Sequence, residues 1–391
     1  MKQPEPSTSA AALITAAHRL GREIRAARGD IERLRRLPPT LSAAMHEAQL
    51  FRLYIPQALG GLETDPITSM RVVETVAAAD GAAGWTLMIG MTYGVWAALL
   101  PEATAREIYG APDAVVAGAL RPSGRARAVE GGYVVSGRWS FASGIQHATW
   151  WNGGCIVAAD AEGARGAGAT DETRLVFFPA REGRLIDNWD VGGLRGTGSH
   201  DYAVDGLFVP ETHTLSLDAP PRVDGALYRL PLQALLDSTM ATVPLGIART
   251  AIDALVELAQ GKTSAGFAAR PAERPSVQAD IGRAEAALRS ARAWLYESVE
   301  EAWAEVQAGR TIAVKHAAML RLARAHCASA AATAVDLAYG AGGGSSIYAA
   351  CPLERCFRDV HTLSQHISMH SSNYEICGRV LLGLPPDRRR L

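Results

Sequence analysis

Hydrophobic periodicity changes twice along this chain, and the two changes limit the folds open to it. From Ser9 to Leu37 the apolar positions Leu13, Ala17, Leu20, Ile24, Ala27, Ile31 and Leu34 recur every three or four residues, the stripe of an amphipathic helix that Pro38-Pro39 ends. Helical spacing continues over Ser42–Leu50, Thr68–Ala79, Gly84–Leu100 and Glu102–Tyr109, with breaks at Gly60-Gly61 and Asp80-Gly81. Between Ala114 and Pro210 glycines multiply and the period falls to two. Tyr133, Val135, Trp139 and Phe141 are expected on one side of a strand that follows the turn at Gly131-Gly132, and Leu175–Phe178 and Tyr202–Val209 read as further strands. From about Leu230 runs of bundle length return: Leu232–Gln260, Ser276–Gln307, Thr311–Tyr339 and a last helix through Glu354 to Leu382. This order predicts an α+β chain with a helical unit over 1–111, a central β domain over 112–222 and a helical bundle over 223–391.

Size and charge narrow the function. With 391 residues, 48% of them hydrophobic, the chain can bury a core larger than one ordinary domain. Lys+Arg (39) and Asp+Glu (40) nearly balance, which leaves no electrostatic footprint for nucleic acid or an anionic membrane. The first twenty residues lack a basic segment followed by an apolar core, and no run of roughly 18 apolar residues is evident, so a soluble, cytoplasmic protein is expected. Cys155, Cys327, Cys351, Cys356 and Cys377 are scattered without zinc-type pairing and are expected to be free, mostly buried thiols. Ala-rich helical faces suit close packing and contacts between subunits, and the only other strongly biased stretch is the loop Ala161–Thr170.

The segment Arg358-Asp359-Val360-His361-Thr362-Leu363-Ser364-Gln365-His366-Ile367-Ser368 resembles an acyl-CoA dehydrogenase signature. In that family an Arg-Asp pair is followed, nine residues after the Arg, by a Glu that removes the α-proton of an acyl thioester. Here that position is Ile367, which accepts no proton, and His366 stands one residue earlier, at the spacing of relatives that are flavin-dependent monooxygenases. Gly131-Gly132-Tyr133-Val134-Val135-Ser136-Gly137-Arg138-Trp139-Ser140-Phe141-Ala142-Ser143-Gly144, followed by His147 and Trp150, is similar to the strand with which this oxygenase branch holds its flavin. Gly118-Ala119-Leu120-Arg121-Pro122-Ser123-Gly124 resembles the family's first β-domain flavin loop, and Gly192 to Asp201 the segment leading into a late strand.

The resemblance implies an acyl-CoA dehydrogenase-like fold with a barrel-like central β domain and a C-terminal four-helix bundle. It also implies a homotetramer or dimer that hydroxylates a phenolic, indolic or polycyclic aromatic through a flavin C4a-hydroperoxide. Reduced flavin (FADH2 or FMNH2) and O2 would be consumed. No G-x-G-x-x-G offers a nicotinamide site, so the flavin would come from a separate reductase. His366 is the expected catalytic residue, positioning the peroxide or acting as a base, and Ser143 the residue beside the isoalloxazine. Arg121, Pro122, Ser123, Trp139 and Gly343 are further cofactor candidates. Gly343 lies in a glycine-rich run that otherwise reads as a helix cap. The adenosine-gripping pattern is blurred from Gly266-Phe267 to Gln278, which leaves FMN open. Trp85, Tyr93 and Trp150 are candidate substrate walls, with core packing as the plainer role.

The same residues admit three other readings. A dehydrogenase or oxidase with an atypical base would need a carboxylate at the family's other position, which falls on Leu236 with Asp237 adjacent. His366 and His370 have helical zinc spacing but lack the Glu of a metalloprotease motif, so no metal is expected. A flavin-binding protein without catalysis would have no use for both Ser143 and His366.

Overall fold

The computed structural model describes residues 9–158, 172–261 and 270–385; the biased loop and the Gly266-Phe267 segment lie outside them, as does the side chain of Asp237. Helix α1 (Ala10–Leu34) starts where the Ser9 hydroxyl accepts from the Ala12 N–H at 3.3 Å, and ends on Arg35 in the left-handed region (φ 53°). Its buried stripe contains Leu13, Ala17, Leu20, Ile24 and Ile31, as the periodicity requires. Helix α2 (Pro39–Glu47) starts earlier than expected because a proline suits a first turn. Asp65 and Asp80 cap α3 (Pro66–Ala79) and α4 (Gly81–Thr92), accepting from Thr68 N and Ala83 N at 2.9 and 3.0 Å. Helix α4 is buried on nearly every face and runs on as a 3-10 segment, Tyr93–Ala98, before α5 (Glu102–Tyr109).

Among the described residues seven strands follow: β1 (Val116–Val129), β2 (Gly132–Ala142), β3 (Trp150–Ala158), β4 (Thr173–Pro179), β5 (Arg184–Ile186), β6 (His200–Pro210) and β7 (Thr214–Leu215). They form one sheet of order β5-β6-β2-β1-β3-β4-β7, with β1 and β3 parallel and the other neighbours antiparallel. The expected barrel-like shape is an open sheet curled on itself. Three strands lie between β4, which carries Phe178, and β6, which carries Tyr202, yet the two rings lie 6.5 Å apart. Trp139, stacked on Tyr202 at 5.1 Å, and Trp151 fill the same interior.

In the C-terminal part, α6 (Ala226–Arg229) precedes α7 (Leu232–Met240) and α8 (Thr242–Gly261). The single helix expected over this stretch divides at Ala241, because Pro244 has no N–H and its ring crowds the carbonyl of Met240. By length and composition Leu232–Gly261 is apolar enough to cross a bilayer, contrary to the expectation from sequence, but its most apolar window is 72% buried. Packing against α3 and α10 accounts for that apolarity. Helices α9 (Pro275–Gln307) and α10 (Val314–Gly342) follow, with α10 packed on α8, α9 and the two last helices. All five cysteines are free, and Cys155, Cys327, Cys356 and Cys377 are buried.

The last helix is not continuous. It divides into α11 (Pro352–Ser364), a 3-10 turn (Ile367–Met369) and α12 (Ser372–Leu381). His366 and His370 therefore flank a turn and do not share a helical face. Among the described residues no three His, Cys, Asp or Glu side chains gather as a metal site.

Candidate active site

A slip in strand register builds one half of the site. Trp139 of β2 pairs with Tyr202, but the next pair is Ala142 with His200, so β2 carries an extra residue. The bulge ends the alternation: Ala142 points inward, and Phe141, expected inside beside Trp139, is 74% exposed with φ 64°. It also aims Ser143 at α4, where the Trp85 indole N–H donates to its Oγ at 2.9 Å. Ser143 Oγ lies 2.7 Å from Ser199 Oγ, which lies 2.7 Å from Thr197 Oγ1, and the Thr197 hydroxyl donates to the Leu194 carbonyl at 2.8 Å.

The turn after α11 supplies the other half. The ring of His366 meets Trp85 edge-on, with centroids 5.4 Å apart, so one indole links Ser143 to the imidazole. His366 Nδ1 accepts from the backbone N–H of Ser368 at 3.2 Å, which places the proton of the neutral ring on Nε2. Burial and then the nearby Arg324 guanidinium push its pKa down to about 4, so at neutral pH the ring is uncharged. With Nδ1 engaged and Nε2 protonated, this imidazole donates a hydrogen bond and has no lone pair free to act as a base.

The turn itself is clamped. The Asn373 amide donates to the carbonyls of Ile367, Ser368 and His370, and its oxygen accepts from Arg321 at 2.7 Å and Arg324 at 3.3 Å. Arg324 Nε donates to Ser368 O at 2.7 Å. A second anchor is Asp359, which accepts from the Leu194 N–H at 2.6 Å and so ties α11 to the residue whose carbonyl ends the hydroxyl chain. Burial, then the neighbouring Asp80 carboxylate, raise the Asp359 carboxyl to about 7. Arg358 pairs with Glu354 of its own helix and with Glu32 of α1, so the Arg-Asp pair is an anchor within the chain. His361 bonds Asp336 at 2.8 Å.

The remaining candidates divide. Arg121, Pro122 and Ser123 lie exposed on a bulge of β1 opposite Gly154, open to a ligand. Gly343 is exposed at the end of α10 with φ 56°, a helix terminus where the Ser346 hydroxyl, three residues on, bonds back to Tyr339 O. Trp139 is a correction: it is fully buried inside the curled sheet and donates to Gly154 O at 2.7 Å, so it supports the strand and presents nothing to a cofactor. Trp150, half-buried, stacks its ring on His213 at 5.7 Å, while Trp151 takes the inward position of the sheet. Tyr93 is buried against Trp96, its hydroxyl 3.5 Å from Gly118 O. His147 accepts from the Leu37 N–H at 3.1 Å and joins the sheet to the first helices. Gln278 bonds Ala272 O at the start of α9.

Ser199, Thr197, Asn373 and Asn152 escaped the reading of the sequence. Asn152 is wholly buried beside Gly118, and neither of its amide atoms has a hydrogen-bond partner among the described residues. A short hydroxyl or amide side chain in a glycine-rich stretch resembles turn chemistry, and nothing local marks it as more.

The chain is similar to proteins of one superfamily along most of its length. The families described as acyl-CoA dehydrogenase N-terminal and C-terminal domains match residues 10–105 and 238–371. An indole-3-acetate monooxygenase of Pseudomonas putida is 36% identical over 93% of this chain and 91% of its own length. This chain belongs to the acyl-CoA dehydrogenase superfamily, in its branch of flavin-dependent monooxygenases. Within that branch the oxygenase subunit HsaA of the flavin-dependent monooxygenase from Rhodococcus jostii is 29% identical, covering 91% of this chain and 94% of its own. The crystal structure of the M. tuberculosis HsaA monooxygenase superposes with a TM-score of 0.89 at 28% identity, over 97% of this chain and 99% of that one. XiaF from Streptomyces sp., solved with FADH2 and glycerol, gives 0.88 at 25% identity over 97% and 96%.

Proposed function

We propose that this chain is the oxygenase component of a two-component monooxygenase: it takes reduced flavin, FADH2 or FMNH2, from a separate reductase and hydroxylates an aromatic substrate with O2. One oxygen atom enters the substrate, the other leaves as water, and the flavin supplies two electrons together with the activation of oxygen. The observation that carries this reading is His366, a neutral donor joined through one indole to Ser143. The dehydrogenase alternative lacks its acid: the two positions for a base hold Ile367, which is 72% exposed, and the buried Leu236.

The residues fit a flavin. Ser143 offers a hydroxyl oxygen, Phe141 and Ile367 present exposed apolar surface beside the two polar residues, and the β1 bulge opens Arg121 to Ser123. His366 would donate from Nε2 to the oxygen being transferred and hold it towards the substrate. Trp85 walls the site and keeps water from its polar groups. Because His366 has no lone pair to take a phenolic proton, an indolic substrate is favoured over a phenolic one, and the similarity to indole-3-acetate monooxygenase supports the same choice.

The test is turnover of indole-3-acetate with photoreduced FAD or FMN under 18O2. Label in the hydroxylated product supports the proposal. Unlabelled product, or bleaching of bound flavin by an acyl-CoA without oxygen, overturns it. A homotetramer or dimer in the cytoplasm, without nucleic-acid or membrane partners, completes the proposal. The even charge balance supports it, as do the exposed Val314, Tyr374, Leu381 and Leu382 on α10 and around α12.

A further inference from the structure

The hydroxyls behind the site leave little freedom for their protons. Three contacts lie in series: Ser143 Oγ to Ser199 Oγ (2.7 Å), Ser199 Oγ to Thr197 Oγ1 (2.7 Å) and Thr197 Oγ1 to the Leu194 carbonyl (2.8 Å). Oxygens this close need a proton between them, and each hydroxyl has one. A carbonyl has none, so the last contact uses the proton of Thr197. The middle contact must then use that of Ser199, and the first that of Ser143. Trp85 Nε1 can only donate, and it takes one of the Ser143 lone pairs. Ser143 is left with one lone pair and no proton. All three hydroxyl residues are buried, at 2–6% exposure, so water does not readily reverse the order.

We infer that the chain Ser143–Ser199–Thr197 makes Ser143 a hydrogen-bond acceptor towards its ligand, and that Ser199 and Thr197 thereby select the reduced flavin over the oxidised one. A reduced isoalloxazine carries a hydrogen on N5 and can donate to such an oxygen. The oxidised ring has only a lone pair at N5, and two acceptors facing each other repel. The inference rests on the reading that Ser143 hydrogen-bonds the redox-active edge of the flavin. It assigns a specificity role to two residues that need not touch the cofactor. The carboxyl of Asp359, accepting from the Leu194 N–H, anchors the residue whose carbonyl starts the order.

Equilibrium titration separates the possibilities. Dissociation constants for FAD and FMN are measured by absorbance and fluorescence, oxidised in air and reduced under anaerobic conditions, for the wild type and four variants. Ser199→Ala removes the acceptor for the Ser143 proton. Thr197→Val, nearly isosteric, releases the Ser199 proton to Ser143 and so frees the same hydrogen by an independent route. Both are expected to lower the ratio of oxidised to reduced dissociation constants by about tenfold, the worth of one hydrogen bond. Thr197→Ser, which restores the hydroxyl, is expected to restore the ratio. An unchanged ratio in Ser199→Ala and Thr197→Val, with a shifted ratio in Ser143→Ala, overturns the inference and leaves the flavin assignment standing. An unchanged ratio in Ser143→Ala as well removes Ser143 from the flavin and overturns both.

Discussion

At the scale of single residues, His366 shows how a neighbouring backbone amide decides what an imidazole can do. The Ser368 N–H takes Nδ1, burial and Arg324 keep the ring neutral, and what remains is a donor at Nε2. A depressed histidine pKa means that the ring, which would ordinarily gain its proton near 6.5, stays neutral until pH falls through about 4. The coupling of flavin oxidation to hydroxylation should therefore be flat from about pH 6 to 8, as read from product formed per O2 consumed; a transition near 6.5 in that ratio would contradict the assignment. His366→Ala should release hydrogen peroxide in place of product, with coupling falling about tenfold or more. Asn152 is a second case. Replacing it by Leu removes two buried amide atoms that lack hydrogen-bond partners among the described residues; the melting temperature should hold or rise while KM for the aromatic substrate increases. An unchanged KM would show that the amide does not serve the substrate. The sequence pointed to His366 with two roles open, and Asn152 carried no local signal. His366 was found through its distance from Arg358, but the direction of its proton depends on an amide that only the turn brings close.

Among elements, those that follow one period were readable and those that shift it were not. The stripe of α1, the extent of α5 and the long helices α9 and α10 follow from 3.6-residue spacing and proline starts. The β2 bulge inserts one residue and moves Phe141 out of the phase set by Tyr133, Val135 and Trp139, with no local glycine to announce it before Gly144. The break after Ser364 is equally silent, since it is made by Asn373 and Arg324 from other elements. Asn373→Ala should then loosen the turn: hydrogen exchange at Ser368 and Met369 should accelerate while α9 remains protected, and equal protection in both variants would argue against the clamp. Trp139→Ala should cost about 3–5 kcal/mol in denaturant unfolding, because the curled sheet closes around that ring. A cost below about 1 kcal/mol would place the indole at a surface.

For the molecule as a whole, the three stretches of different period meet at one point. The N-terminal helices give Trp85, the sheet gives Ser143, the C-terminal helices give His366, and Asp359 reaches from α11 to the loop before β6. That anchor makes stability sensitive to pH. The folded carboxyl is raised to about 7 from an ordinary value near 3.8, so its contribution is intact below about pH 4 and is lost as pH rises through about 7. Asp359→Asn keeps an oxygen for the Leu194 N–H without a charge. Its melting temperature relative to wild type should thus improve between about pH 4 and 7 and level off above that, whereas a constant difference would mean that the carboxyl is ionised throughout.

Trp85 touches both polar partners at once, its N–H on Ser143 and its ring against His366. Nature has in effect placed a fluorophore inside the reaction chamber. The emission missing from Trp85→Phe, one of eight tryptophans, would report acidification of the imidazole and arrival of a flavin in real time, without any added dye.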